Sequence, residues 1–158
     1  MKTLLVSVDF SAATRAVIDA AVELAAPAHA KIVLHHSYVP PVVTSEYGLS
    51  LEMLQETAQI GEKTARHQLE HLEDELTANG YDVSSVLTEG GAASQVLLQA
   101  AKHRADLIVL GSHGHTAFYD LLIGSTTHDV LAKAMCPVLI VPPAKNKAAK
   151  KAKKADKR

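Results

Sequence analysis

One cysteine, Cys136, is all that the 158-residue chain contains. It cannot close an intramolecular disulfide and no spaced pair suggests a zinc knuckle, so a reducing compartment, the cytoplasm, is the expected home. Long apolar runs are missing as well, since no stretch approaches the roughly 18 residues that a spanning helix needs, and no membrane partner is expected. The opening "MKTLLVSVDF" is interrupted by Ser7 and Asp9 before a signal-peptide core could accumulate, and reads instead as a first strand. Two familiar phosphate-binding fingerprints are absent too. A Walker loop requires lysine before its Ser/Thr, but Gly124 precedes Ser125, and no strand is followed by G-x-G-x-x-G.

What is present is the composition of one globular domain, with 47% hydrophobic and 21% charged residues. The formal net charge of −1 conceals a division. Residues 144–158, "AKNKAAKKAKKADKR", hold eight basic side chains and one acidic, a net +7, which leaves −8 on residues 1–143. The chain therefore reads as a domain over 1–143 followed by a Lys-rich tail over 144–158. That tail has no branched apolar or aromatic residue with which to bury surface, so its composition predicts disorder.

Apolar, β-branched-rich runs recur at 3–8, 31–37, 83–88, 106–110 and 137–141, separated by stretches with helical spacing. Ser11 is the expected N-cap of a helix carrying Val17, Ala20, Ala21 and Leu24, ended by Pro27. Leu54, Ala58, Gly61, Ala65, Leu69, Leu72 and Leu76 predict a longer helix that stops at Asn79-Gly80. The segment before it, "SYVPPVVTSEYG", is long enough to serve as a lid. A third helix is expected over 92–103. "DLIVL" and "PVLIV" are nearly continuous in apolar residues, as strands buried on both faces are, so the fold class is α/β with a doubly wound parallel sheet.

In such a sheet, ligands settle beyond the carboxyl ends of the strands. Asp9 follows the first strand, Ser37 closes the second, and Gly111-Ser112-His113-Gly114 follows the fourth. Glycines let backbone N–H groups approach an anion. Gly124-Ser125-Thr126-Thr127 then opens a helix whose N-terminal N–H groups and dipole attract negative charge. This is a phosphate cradle without a built-in cation, so Mg2+ or Mn2+ is expected to supply the missing charge. His113 and His115 lie within or beside it. Cys136, before Pro137, reads as a small packing residue, and His128 and Asp129 as surface.

The order strand, G-x2-G, nine residues, G-S, helix, strand, in "GSHGHTAFYDLLIGS", resembles the nucleotide-binding signature of the universal stress protein family. The resemblance extends to "LLVSVDFS", "IVLHHSYV" and "CPVLIVP", and so to nearly all of the body. It implies five parallel strands in the order 3-2-1-4-5 with helices on both faces, the adenine nucleotide alpha hydrolase-like fold, a homodimer pairing through strand 137–141, and binding of ATP, or of AMP or ADP. It further implies that Ser7, Val8 and Ser37 flank adenine and that Asp9 meets the ribose or base. Leu110, Gly111, Ser112, His113 and Gly114 would meet sugar and phosphates, and Gly124, Ser125, Thr126 and Thr127 would hold the phosphates. Where the family's second strand commonly ends Leu-His-Val, this chain has His35-His36-Ser37, which makes the expected base pocket more polar.

Function is accordingly expected to be nucleotide-dependent sensing or scaffolding in a stress response. Slow ATP hydrolysis or phosphotransfer is the weaker alternative, since it would need a placed water, a base and stabilisation of the transferring phosphoryl group. Binding of nucleic acid through the basic tail is the other alternative. It is less favoured than solvation of the acidic body, because no aromatic residue interleaves with the lysines to stack on bases.

Overall fold

Five strands and four α-helices make up the computed structural model, which describes residues 1–40, 51–112 and 124–142. In chain order they are β1 (Thr3–Ser7), α1 (Thr14–Ala25), β2 (Lys31–Tyr38), α2 (Leu51–Ala78), β3 (Val83–Glu89), α3 (Ala92–Lys102), β4 (Leu107–Gly111), α4 (Ser125–Lys133) and β5 (Val138–Val141). The strands form one sheet in the order β3-β2-β1-β4-β5, and every neighbouring pair is parallel. No helix among the described residues is long and apolar enough to cross a membrane.

Period-2 alternation in the inner strands explains why helices cover both faces. Leu4, Val6, Ile32, Leu34 and Val109 point to one side, where they pack with Val17, Ile18 and Ala21 of α1 and Leu69 and Leu76 of α2. Leu5, Val33, Ile108 and Leu110 point to the other, against Val96 and Ala100 of α3 and Val130 of α4. These strands are apolar at consecutive positions because each neighbour in sequence has its own core to enter. Connections from β1 and β4 therefore leave toward opposite faces, and the two strands are adjacent. That splits the carboxyl edge into a crevice.

Most element ends fall within one residue of the sequence reading, and three of the differences have a visible cause. β2 continues to Tyr38, whose hydroxyl donates to the Ala58 carbonyl at 2.9 Å and ties the strand end to α2. β4 begins at Leu107, because the Asp106 carboxylate accepts from the N–H groups of Lys2 and Thr3 at 2.6 and 3.0 Å and so precedes the ladder. Ser11 is not the N-cap of α1, which is Ala13. The Ser11 hydroxyl accepts from the Ala13 N–H at 3.2 Å while its own N–H donates to Asp9, so its polar groups are spent on a turn ahead of the helix. The lid segment 41–48, His113, Gly114, His115 and the tail 144–158 lie outside the described residues.

Candidate functional site

β1 delivers the chain to the carboxyl edge of the sheet, and a tight turn must then redirect it into α1. Asp9 makes that turn. Its Oδ1 accepts from the Ser11 N–H at 3.0 Å and from the Thr14 hydroxyl at 3.4 Å. Phe10, between them, sits at a φ of 58°, a left-handed conformation that costs a non-glycine residue roughly 1–2 kcal/mol. The Phe10 ring lies against that of His36, with centroids 4.4 Å apart and planes tilted by 43°. His36 Nδ1 is 2.8 Å from the Val8 carbonyl, and because a carbonyl only accepts, that nitrogen carries the proton. The Val8 N–H donates to the His35 carbonyl at 2.9 Å, which extends the β1–β2 pairing past the strand end.

On the other side of the crevice β4 ends at Gly111, and α4 is locked onto it. Thr127, buried, donates its hydroxyl to the Gly111 carbonyl at 3.0 Å, and the Gly124 N–H donates to the Ser112 carbonyl at 3.1 Å. Ser112 also donates its N–H to Val141, so its backbone ties β5 to the same corner. The first i to i−4 bond of α4 runs from the His128 N–H to Gly124. The N-cap is a glycine and makes no side-chain cap, so the N–H groups of Ser125, Thr126 and Thr127 have neither a helical acceptor nor a capping side chain among the described residues. Such an end holds about half a positive charge and is suited to an anion.

Between these walls lies one cleft. Ser7, Val8, Asp9 and Ser37 border it from β1 and β2, and Leu110, Gly111, Gly124, Ser125, Thr126 and Thr127 from β4 and α4. Ten of the thirteen residues named from the sequence thus meet at one place. Ser112 contributes backbone bonds at its rim, and His113 and Gly114 lie outside the described residues. The cleft has five further lining residues, Ala13, Thr14, Val17, His36 and Ala92, of which the sequence indicates only His36, as part of the expected base pocket. Val17 and Ala92 look like ordinary helix residues in the sequence, and nothing local marks them. His36 did leave a signal, because strand alternation places it opposite His35. No lysine or arginine is among the described lining residues.

The remaining titratable groups near the sheet divide by environment. His35 is wholly buried, with Nε2 2.9 Å from the Thr88 hydroxyl, and burial first, then the neighbouring charges of His36 and His103, holds it at about 4. Burial likewise raises the Cys136 thiol, with Asp106 adding to the effect, which disfavours its reactive thiolate. His128 and Asp129 form an exposed pair at 3.3 Å. No group of three His, Cys, Asp or Glu side chains suited to a metal occurs among the described residues.

Known proteins share this architecture and sequence. The model of the universal stress protein family matches residues 1–142. Universal stress protein A homolog 1 of Coxiella burnetii is 31% identical over 89% of this chain and 95% of its own length. Universal stress protein MJ0577 of Methanocaldococcus jannaschii is 32% identical over 77 residues, 48% of that protein. Its solved structure is 25% identical and superposes over 89% of this chain and 95% of that one, with a TM-score of 0.76. A universal stress protein solved in complex with cAMP is 26% identical, with a TM-score of 0.66 over 90% of this chain and 98% of that one. A sheet in this order, its split carboxyl edge and a family match that spans every described element lead to one conclusion: the chain belongs to the universal stress protein family.

Proposed function

We propose that the cleft binds an adenine nucleotide, ATP or its relatives ADP and AMP, and that the protein acts as a nucleotide-dependent sensor or scaffold in a stress response. The observation that carries this reading is the uncapped N-terminus of α4, anchored to the end of β4 and opening on the crevice between β1 and β4. It offers several backbone donors to a polyanion at the place where doubly wound sheets bind ligands. The complex of a 26%-identical family member with cAMP supports an adenine base. Because the described lining residues include no lysine or arginine, Mg2+ or Mn2+ carried in with the phosphates is the fitting counter-charge. His113 and Gly114 complete the G-x2-G half of the cradle in this reading.

Mass spectrometry of the small molecules released on denaturing the purified protein is expected to find an adenine nucleotide, and calorimetry of the stripped protein to show saturable binding of MgATP. Failure to bind MgATP even at millimolar concentration would overturn the proposal. Intact ATP in the released material favours a binding module, whereas ADP would favour slow hydrolysis.

Pairing of two copies belongs to the same proposal. β5 is a four-residue strand at the edge of the sheet and three of its residues are partly exposed, leaving a row of backbone groups open to a second chain. Sedimentation is expected to give twice the monomer mass of 16.8 kDa, and a monomer at micromolar concentration would refute it.

A further inference from the structure

The geometry points to His36 as a residue that selects the base, favouring a ring with an exocyclic amino group over one with an oxo group at the same position. The inference rests on the adenine-nucleotide reading and extends it to specificity. If the phosphates lie at α4, which is fastened to the end of β4, the base lies toward the other end of the cleft. β2 is two strands from β4, about 10 Å at ordinary strand spacing, which is the reach of a ribose and its α-phosphate. His36 lines the cleft at that end.

Its chemistry there is fixed by two contacts. The Val8 carbonyl holds a proton on Nδ1 at 2.8 Å, which leaves Nε2 of a neutral imidazole as the lone-pair acceptor. The Phe10 ring lies against the imidazole, with centroids 4.4 Å apart and planes tilted by 43°, and limits its rotation. No described residue bonds Nε2 among the contacts of His36. An acceptor held this way pairs with an amino group and meets the oxygen of an oxo group lone pair to lone pair. Because a site that hydrogen-bonds its ligand rejects an analogue lacking the donor, discrimination at this atom is expected to be large enough to measure.

ATP and ITP carry identical sugars and phosphates and differ at position 6, amino in one and oxo in the other, and at the adjacent N1, which is an acceptor in ATP and bears a hydrogen in ITP. Calorimetry at pH 8, above the range in which imidazoles ordinarily protonate, is expected to show MgATP bound about tenfold more tightly than MgITP. His36→Phe retains a ring against Phe10 and removes both nitrogens. It is expected to weaken MgATP about tenfold and leave MgITP within about twofold, which erases the preference. Thermal melting checks that the variant folds, and His36→Val, well suited to a strand, replaces it if not. Equal binding of the two triphosphates to the unaltered protein, or an ATP preference that survives the substitution, overturns the assignment of His36 alone. If neither triphosphate binds the unaltered protein, the nucleotide reading falls and this inference with it.

Discussion

Gly124→Asp is expected to reduce affinity for MgATP more than a hundredfold while leaving the fold intact. Gly124 is the N-cap of α4 with φ −58° and ψ 154°, a conformation open to any residue, and aspartate is among the best N-caps. Its carboxylate would accept from the N–H groups of the first turn and so remove the donors meant for phosphate. It would also stand within about 6 Å of the phosphates, where two unit charges repel by about 3 kcal/mol at the effective dielectric of a protein surface. Gly124→Asn caps equally well without the charge, so it should lose the donors and spare the repulsion. Calorimetry on the two variants at low and high salt separates these effects, because only the difference between them should shrink as salt rises. The melting temperature should hold or rise slightly. Binding by Gly124→Asp within threefold of the unaltered protein would remove phosphate from this helix end.

Acid should destabilise the protein through His35. The ring is wholly buried, with one nitrogen paired to Thr88 and Nδ1 without a hydrogen-bond partner among the described residues. It titrates at about 4 in the fold, against 6.5 for an ordinary histidine. Because the folded value is depressed, the unfolded chain binds the proton first as pH falls. The stabilising contribution is therefore complete above pH 6.5 and is lost on the way down to pH 4. Linkage puts the loss at about 2 kcal/mol by pH 5 and about 3 kcal/mol by pH 4.

Other groups also titrate in this range, including His103, which burial lowers in the same direction. The informative quantity is thus the difference between the protein and His35→Leu, which removes the titration. Urea unfolding from pH 7.5 to 4 should show the unaltered protein losing about 3 kcal/mol relative to the variant. A difference that does not vary with pH would mean that the ring accepts its proton in the folded state without penalty.

The degree to which this molecule could be read in advance follows from the range of each signal. The strands and both long helices were legible because side-chain periods of two and about 3.6 residues are local, and continuous apolar runs at β1 and β4 already implied two covered faces. Ser11 misled because several hydrogen-bonding arrangements of Asp9-Phe10-Ser11 are compatible with the same residues, and the bonds of Asp9 to the Ser11 N–H and the Thr14 hydroxyl select the turn. The spacing of the glycines near β4 indicated a cradle, and its resemblance to the family indicated the nucleotide. Val17 and Ala92 border the cleft for no reason that their neighbours in sequence reveal.

Local residue types and their order were sufficient to establish the α/β class, the covered sheet faces and the uncapped glycine start of α4. Packing alone could bring Thr127 onto Gly111 across 16 positions, His36 onto Val8 across 28 and His35 onto Thr88 across 53. The same division separates a histidine's presence from its behaviour. Proton affinity and tautomer depend on burial and on the partner facing each ring nitrogen, and both arise only when the whole sheet has closed around the ring.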